Sequence, residues 1–314
     1  EDASPEFLES HSWFDATGRT VGAWAPSSPM RKTTHDGLGR TVVSYLTDRR
    51  DDPAPGASGN YAAVFDAATQ TAEVDDDVVV EERHTRYIAG SGVPDLSTAR
   101  LRTHDADDAD LGALDGVGFP ADASITTYSA LWYDGALRTV RTAEYGTNAA
   151  GFESGGTAPT IDQASPPDPD PMVAAPLVRA LAYDAHGNVA ETTDPMGRIT
   201  RVHRDMLRRE YLVVENLDPL DPVVYEWYGP ASIGDVPPMR WVITGGLDIA
   251  SPDRNRATSF VHNGLGQVVR QAAYLVELVE NNDDPPVLEP VVRMQETAYI
   301  HDAARLLASD IASN

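Results

Sequence analysis

Leu177-Val-Arg-Ala-Leu-Ala-Tyr183-Asp184-Ala-His-Gly187-Asn188-Val-Ala-Glu-Thr-Thr193-Asp194-Pro-Met-Gly197-Arg198-Ile-Thr-Arg-Val-His-Arg204-Asp205 carries two short polar breaks between three strand-like runs. Two runs with partly alternating apolar and polar residues, Leu177 to Tyr183 and Val189 to Thr193, flank a short polar segment. That alternation suits half-buried strands. The segment between them opens on Asp184 and has glycine at its fourth position. An Asp side chain there can accept from the backbone two residues on. Glycine can take positive φ and close a type I turn with a bulge. The stretch therefore reads as hairpins in series, and Asp184, Asp194 and Asp205 recur at one strand plus one turn.

The same frame returns as Phe14-Asp15-Ala-Thr-Gly18-Arg19, His35-Asp36-Gly-Leu-Gly39-Arg40 and, with Asn for Asp, His262-Asn263-Gly-Leu-Gly266-Gln267. Structural turn positions are thus expected at Asp15 and Gly18, Asp36 and Gly39, Asp184 and Gly187, Asp194 and Gly197, and Asn263 and Gly266. Weaker copies begin at Asp134, Asp205 and Asp302, with Leu137, Arg208 and Arg305 in the glycine position. A side chain at positive φ costs about 1 kcal/mol or more, so a different turn geometry is expected at these three. Further strands are expected at 41–45, 78–87, 125–133, 138–145, 257–262 and 267–274, and the segment 90–115 leaves room for a short helix. Internal repetition of this kind fixes architecture before any single residue does. The expected fold is all-β: stacked β-hairpin repeats forming a curved or spiral wall, with loop insertions near 51–60, 153–175 and 281–286. Residues 1–314 are read as part of one such wall and as an internal fragment of a longer chain. Its edge strands should then pair with the remainder of the same polypeptide or with a second component.

The residues Asp194-Pro-Met-Gly-Arg-Ile-Thr-Arg-Val-His-Arg-Asp205 resemble the YD repeat of the Rhs family. This family includes bacterial Rhs toxins, the B and C components of insecticidal toxin complexes, wall-associated proteins and teneurins. The resemblance is strong from Asp184 to Asp205, good at Asp36 and Asn263, and poor over 53–129 and 146–176. It implies a β-ribbon spiralling into a hollow shell, which in the toxins encloses a cytotoxic segment. No self-cleaving C-terminal motif accompanies it. The implied function is structural: part of a secreted or surface shell that encloses or presents a toxin or effector segment. The alternative is an extracellular glycan- or protein-binding module, as in teneurin-like surface proteins.

Composition sets outer bounds. Formal net charge is −25, from 49 acidic and 24 basic residues, and Lys32 is the sole lysine. A field this negative repels nucleic-acid backbones and anionic membranes. With 41% apolar residues the chain is globular, and no apolar run reaches the roughly 20 residues of a membrane helix. Cysteine is absent, so disulfides and thiolate metal sites are excluded.

Candidate sites each have a plainer reading. The acidic run 104–110 could chelate calcium, but it lacks the glycine and distal glutamate of an EF-hand loop. A solvated loop is expected there, and likewise at Asp75-Asp76-Asp77 and Asp168-Pro-Asp170. His35, His262 and His301 occupy the aromatic slot before the turn, where ring packing explains them. His84, His186 and His203 have no nearby partner pattern. Trp132, Trp227, Tyr228 and Trp241 could form a sugar platform, though packing between strands is the favoured role. The carboxylates are too numerous to single out a glycosidase pair. No catalytic, cofactor-binding or metal-ligating residue is therefore assigned, and no enzyme activity is expected.

Overall fold

The computed structural model describes residues 10–25, 28–48, 64–104, 106–107, 110–116, 119–120, 123–147, 158–170, 172, 176–218, 224–228, 240–245, 255–280, 288–301 and 306–313. Their regular structure is entirely β. The chain divides into two compact units, one of Glu1–Pro167 with Met172–Val178, the other of Asp168–Pro171 with Arg179–Asn314.

In the first unit the main strands are β1 (His11–Phe14), β2 (Thr20–Trp24), β3 (Met30–His35), β4 (Thr41–Asp48), β7 (Val78–Tyr87), β8 (Pro94–Arg102), β9 (Ser124–Tyr133) and β10 (Thr139–Gly146). They pair in that order, each antiparallel to the next. A small hairpin, β5 (Phe65–Asp66) and β6 (Thr71–Ala72), lies between β4 and β7 in sequence. The described residues of segment 90–115, where a short helix had room, form β8 and turns.

The sheet buries one face beneath its own insertions. Val64 and Phe65 pack on Trp13, Val21 and Met30. Val74 and Leu114 pack with Val79, with Tyr45 and Phe119 beside them. Further along, Ile161 lies against the cluster of Leu96, Tyr128, Ala130, Trp132, Ala143 and Val178. Strand alternation puts these sheet residues on a common side. Polar bonds hold the cover down: Trp132 Nε1 donates to the Asp162 carbonyl at 2.8 Å, and Gln163 Nε2 to the Leu131 carbonyl at 2.8 Å. The described part of the expected 153–175 loop is thus a packed cover, while 51–60 and 281–286 lie outside the described residues.

The second unit repeats this plan. Its main strands are β11 (Leu177–Tyr183, in this unit from Arg179 onward), β12 (Val189–Thr193), β13 (Ile199–Arg204), β14 (Glu210–Glu215), β17 (Arg256–His262), β18 (Val268–Glu280), β19 (Leu288–His301) and β20 (Leu306–Ser313). They too pair in that order and antiparallel. Between β14 and β17 in sequence, β15 (Val224–Tyr228) and β16 (Arg240–Gly245) form a separate hairpin. The buried face holds Leu212, Val214, Ala257, Ala272 and Tyr274, joined by Leu217 from the segment after β14. Asn255 is fully buried at φ 52°, where its Oδ1 accepts from the Asp218 amide at 2.8 Å.

Candidate functional site

Each Asp turn is a clamp of five hydrogen bonds. At Asp184 the Gly187 amide donates to the Asp184 carbonyl at 3.0 Å, and the Asp184 amide to the Asn188 carbonyl at 2.9 Å. The carboxylate Oδ1 accepts from the His186 and Asn188 amides, and Oδ2 from Asn188 Nδ2. Gly187 sits at φ 84°, and the register slips between Ala182 and Tyr183, as a bulge requires. Asp15, Asp36 and Asp194 make the same two amide contacts, with an arginine Nε on Oδ2 and glycines at φ 84°, 83° and 78°. Asn263 keeps both amide bonds, with Gly266 at φ 79°.

The turns lacking glycine correct the expectation made for them. Leu137 and Arg208 stand at φ 60° and 64°, and both turns close with the same backbone bonds. The Asp134 and Asp205 carboxylates carry the full set of side-chain bonds, which offsets the strain. The turn at Asp302 lies outside the described residues.

Charge-assisted bonds hold the clamp carboxylates below their ordinary pKa. For Asp184 the causes are the side chain and then the amide of Asn188, which bring it to about 2. At Asp15 burial pushes upward but is outweighed by the Arg19 amide, the Thr17 hydroxyl and the Arg19 side chain.

Arginine spare donors link one turn to the next. Arg19 Nη1 donates to the Asp36 carbonyl at 3.0 Å, Arg40 Nη1 to Ser91 at 2.9 Å, and Arg209 Nη1 to Asn263 at 3.1 Å. Ring contacts do the same: the Arg40 guanidinium lies 4.2 Å over Tyr87, whose hydroxyl donates to the Thr41 carbonyl. Tyr133 donates to the Pro94 carbonyl. His35 and His262 sit in this stack, and their pKa is lowered by burial and then by Arg19 and Arg209 respectively.

A second constellation lies under the cover of the first unit. Lys32, Tyr45, Glu82 and Arg100 are successive cross-strand partners, forming one polar row. Lys32 is buried, paired with Asp77 at 2.6 Å and bonded to the Glu73 carbonyl at 2.6 Å. Glu82 is fully buried, and its Oε2 accepts from the Leu114 amide at 2.6 Å. Its Oε1 meets His84 Nε2 at 2.5 Å and Arg100 Nη1 at 2.8 Å. Asp115 Oδ2 completes the set at 3.5 Å from His84 and 3.3 Å from Arg100. Burial raises the pKa of Glu82, but the bond and charge of His84, with Arg100 and the amide, bring it down. Tyr45 is pushed up by burial and then by Glu82. Ligand atoms of Glu82, His84 and Asp115 lie within 4.8 Å of one another, a spacing that can hold a divalent cation. Arg100 sets a positive charge against the Glu82 and Asp115 carboxylates, and the network runs from the fully buried Glu82 out to the exposed Asp115.

His84, which had no partner pattern in the sequence, therefore joins this network through Glu82 and Asp115. Glu82 and His84 are two residues apart on a strand and so share a face. That signal was readable; Asp115, thirty-one residues beyond His84, was not. His203 packs beside Tyr211 at 6.0 Å. Trp132 is buried rather than exposed as a platform, and Trp227 and Trp241 are backbone register partners in the β15–β16 hairpin. In the acidic run, Asp107 and Asp110 bond each other and the Arg102 guanidinium through backbone and side chain.

No protein-family model and no curated protein matches the chain. Among solved structures, the crystal structure of TcdB2–TccC3 is similar at 11% identity over 97% of this chain, with a TM-score of 0.31. The Photorhabdus luminescens Tc holotoxin pore is similar at 10% identity over 97%, with a TM-score of 0.29. TcdB2–TccC3 without its hypervariable C-terminal region follows at 9% identity over 97%, with a TM-score of 0.30. The chain spans 15 to 16% of the length of those chains.

Proposed function

We propose that this chain is a wall segment of a secreted or surface shell that encloses or presents a toxin or effector segment, with no enzymatic role of its own. The observation that carries the reading is the turn-to-turn linkage. Each Asp clamp fixes a hairpin, and Arg19, Arg40 and Arg209 tie that hairpin to its neighbour. A meander built this way gains rigidity along the direction in which repeats add, as a wall needs. The resemblance of Asp184 to Asp205 to the YD repeat points the same way. Partners on this reading are further wall, from the same or a second polypeptide, and the enclosed segment.

The test is to purify the protein from its source with whatever polypeptide it is joined to or associated with, and image it by electron microscopy alongside limited proteolysis. The expected result is a closed β-wall around a segment that protease reaches only after denaturant opens the particle. Immediate digestion of all non-wall segments, with selective binding on a glycan array, would instead favour the surface-recognition module.

A further inference from the structure

The face of the second unit's sheet opposite its core carries, among the described residues, a trough of about 500 Å³. Ala180, Val214 and Ala257 point to the buried face, so strand alternation places Arg179, Glu215 and Arg256 on the opposite one. Arg198 and Asp194 also line the trough, over a floor that includes Thr192 and Thr200. In a chain of net charge −25, three guanidiniums against two carboxylates is a local reversal of sign. Asp194 is engaged by Arg198 at 2.7 Å and by the amides of its own turn. Arg179 and Arg256 are exposed and, among the described residues, their guanidinium groups make no hydrogen bond or ion pair, although Glu215 is the register partner of Arg256.

Arg179 is on β11 and Arg256 on β17, four ladder steps apart. At about 4.8 Å per step they flank a trough roughly 19 Å long, the span of about six residues of extended chain. Asp194 and Glu215 between them repel a ligand of uniform negative charge such as a nucleic acid. Carboxylates spaced at the two ends are accommodated, and guanidinium matches carboxylate with paired donors. We infer that this trough binds an extended polypeptide segment bearing two carboxylate side chains about 19 Å apart, one at Arg179 and one at Arg256. The inference does not depend on the shell reading, and its failure leaves that reading in place.

The test is fluorescence anisotropy at low ionic strength with a labelled peptide Glu-Gly-Ser-Gly-Ser-Gly-Glu, whose extended carboxylates span roughly 20 Å. The chain should bind it, and the Arg179→Gln/Arg256→Gln double variant should bind at least about tenfold more weakly, having lost two charge-assisted contacts. Each single variant should fall between. A peptide with both Glu replaced by Gln should bind as weakly as the double variant shows, and added salt should weaken the parent complex. Arg83→Gln, an exposed change on β7 of the first unit, should leave binding unchanged. Circular dichroism should show all variants folded, as expected for exposed side chains. No binding up to millimolar peptide, or equal affinity for the parent and the double variant, or for the Glu and Gln peptides, overturns the inference.

Discussion

At the residue scale, the turn position that normally takes glycine separates conformational strain from side-chain bonding. Gly187 stands at φ 84°, a left-handed conformation that a branched side chain adopts only under strain. Gly187→Val should therefore destabilise by about 1–3 kcal/mol in chemical denaturation, and an unchanged midpoint would remove the turn's claim to that geometry. Leu137 provides the converse. It already holds φ 60° and is half-exposed, so little packing is lost on removing its side chain. Leu137→Gly should raise stability by up to about 1 kcal/mol through relief of left-handed strain; a clear loss would show that Leu137 packs on something that matters. Glycine spacing in the sequence located the five regular turns. It misjudged Leu137 and Arg208 because propensity counts the backbone cost and omits the five bonds an Asp clamp returns.

At the element scale, the clamps make the hairpins acid-sensitive. The Asp184 carboxyl lies at about 2 when folded against an ordinary 3.8. The unfolded chain then binds the proton more readily, so the stability that the clamp contributes is complete above about pH 4. It is lost as pH falls toward 2. Asp15, Asp36, Asp134, Asp194 and Asp205 are all lowered as well, so the effect has the same sign at every clamp. Thermal melts should show a steep drop across that window. Asp184→Asn should flatten part of it while keeping the amide bonds, because Asn263 makes those bonds in its own turn without a titrating group. A melt profile of Asp184→Asn that parallels the parent below pH 4 would mean the clamp is not the titrating element. The buried row gives a different result. Arg100→Met removes the cation from beside Glu82, leaving a fully buried carboxylate dependent on His84 and one amide. Breaking a buried pair in this way costs about 3–5 kcal/mol, measurable by denaturation at neutral pH. A change under 1 kcal/mol would place Glu82 in contact with water after all.

At the scale of the whole molecule, local signals were legible and long-range ones were not. Strands β7, β11 and β12 were readable to the residue from alternation and turn chemistry, because both are determined within about ten residues. The covers were not: Ile161 falls in an expected loop, Leu114 in a segment with room for a short helix and Phe65 in a stretch with no assignment, and their partners lie on strands far along the chain. The Glu82 network was hidden for the same reason, as was the arginine trough, which takes its lining from five strands. Charge gives the remaining test. With 49 acidic against 24 basic residues, and many of the arginines already committed to clamps, like-charge repulsion across the surface opposes the compact state. Salt screens that repulsion, with a Debye length falling from about 10 Å at 0.1 M to about 3 Å at 1 M. Screening also weakens the exposed clamp pairs, but each of these contributes on the order of 0–1 kcal/mol and keeps its amide bonds. Net repulsion should win, so the melting temperature at pH 7 should rise as sodium chloride is raised from 0.05 to 1 M, and chloride and sulfate series matched in ionic strength should share the early part of the rise. A melting temperature that falls with salt would mean that the clamps and buried pairs outweigh the surface field, and that the acidity of this chain is balanced locally despite its total.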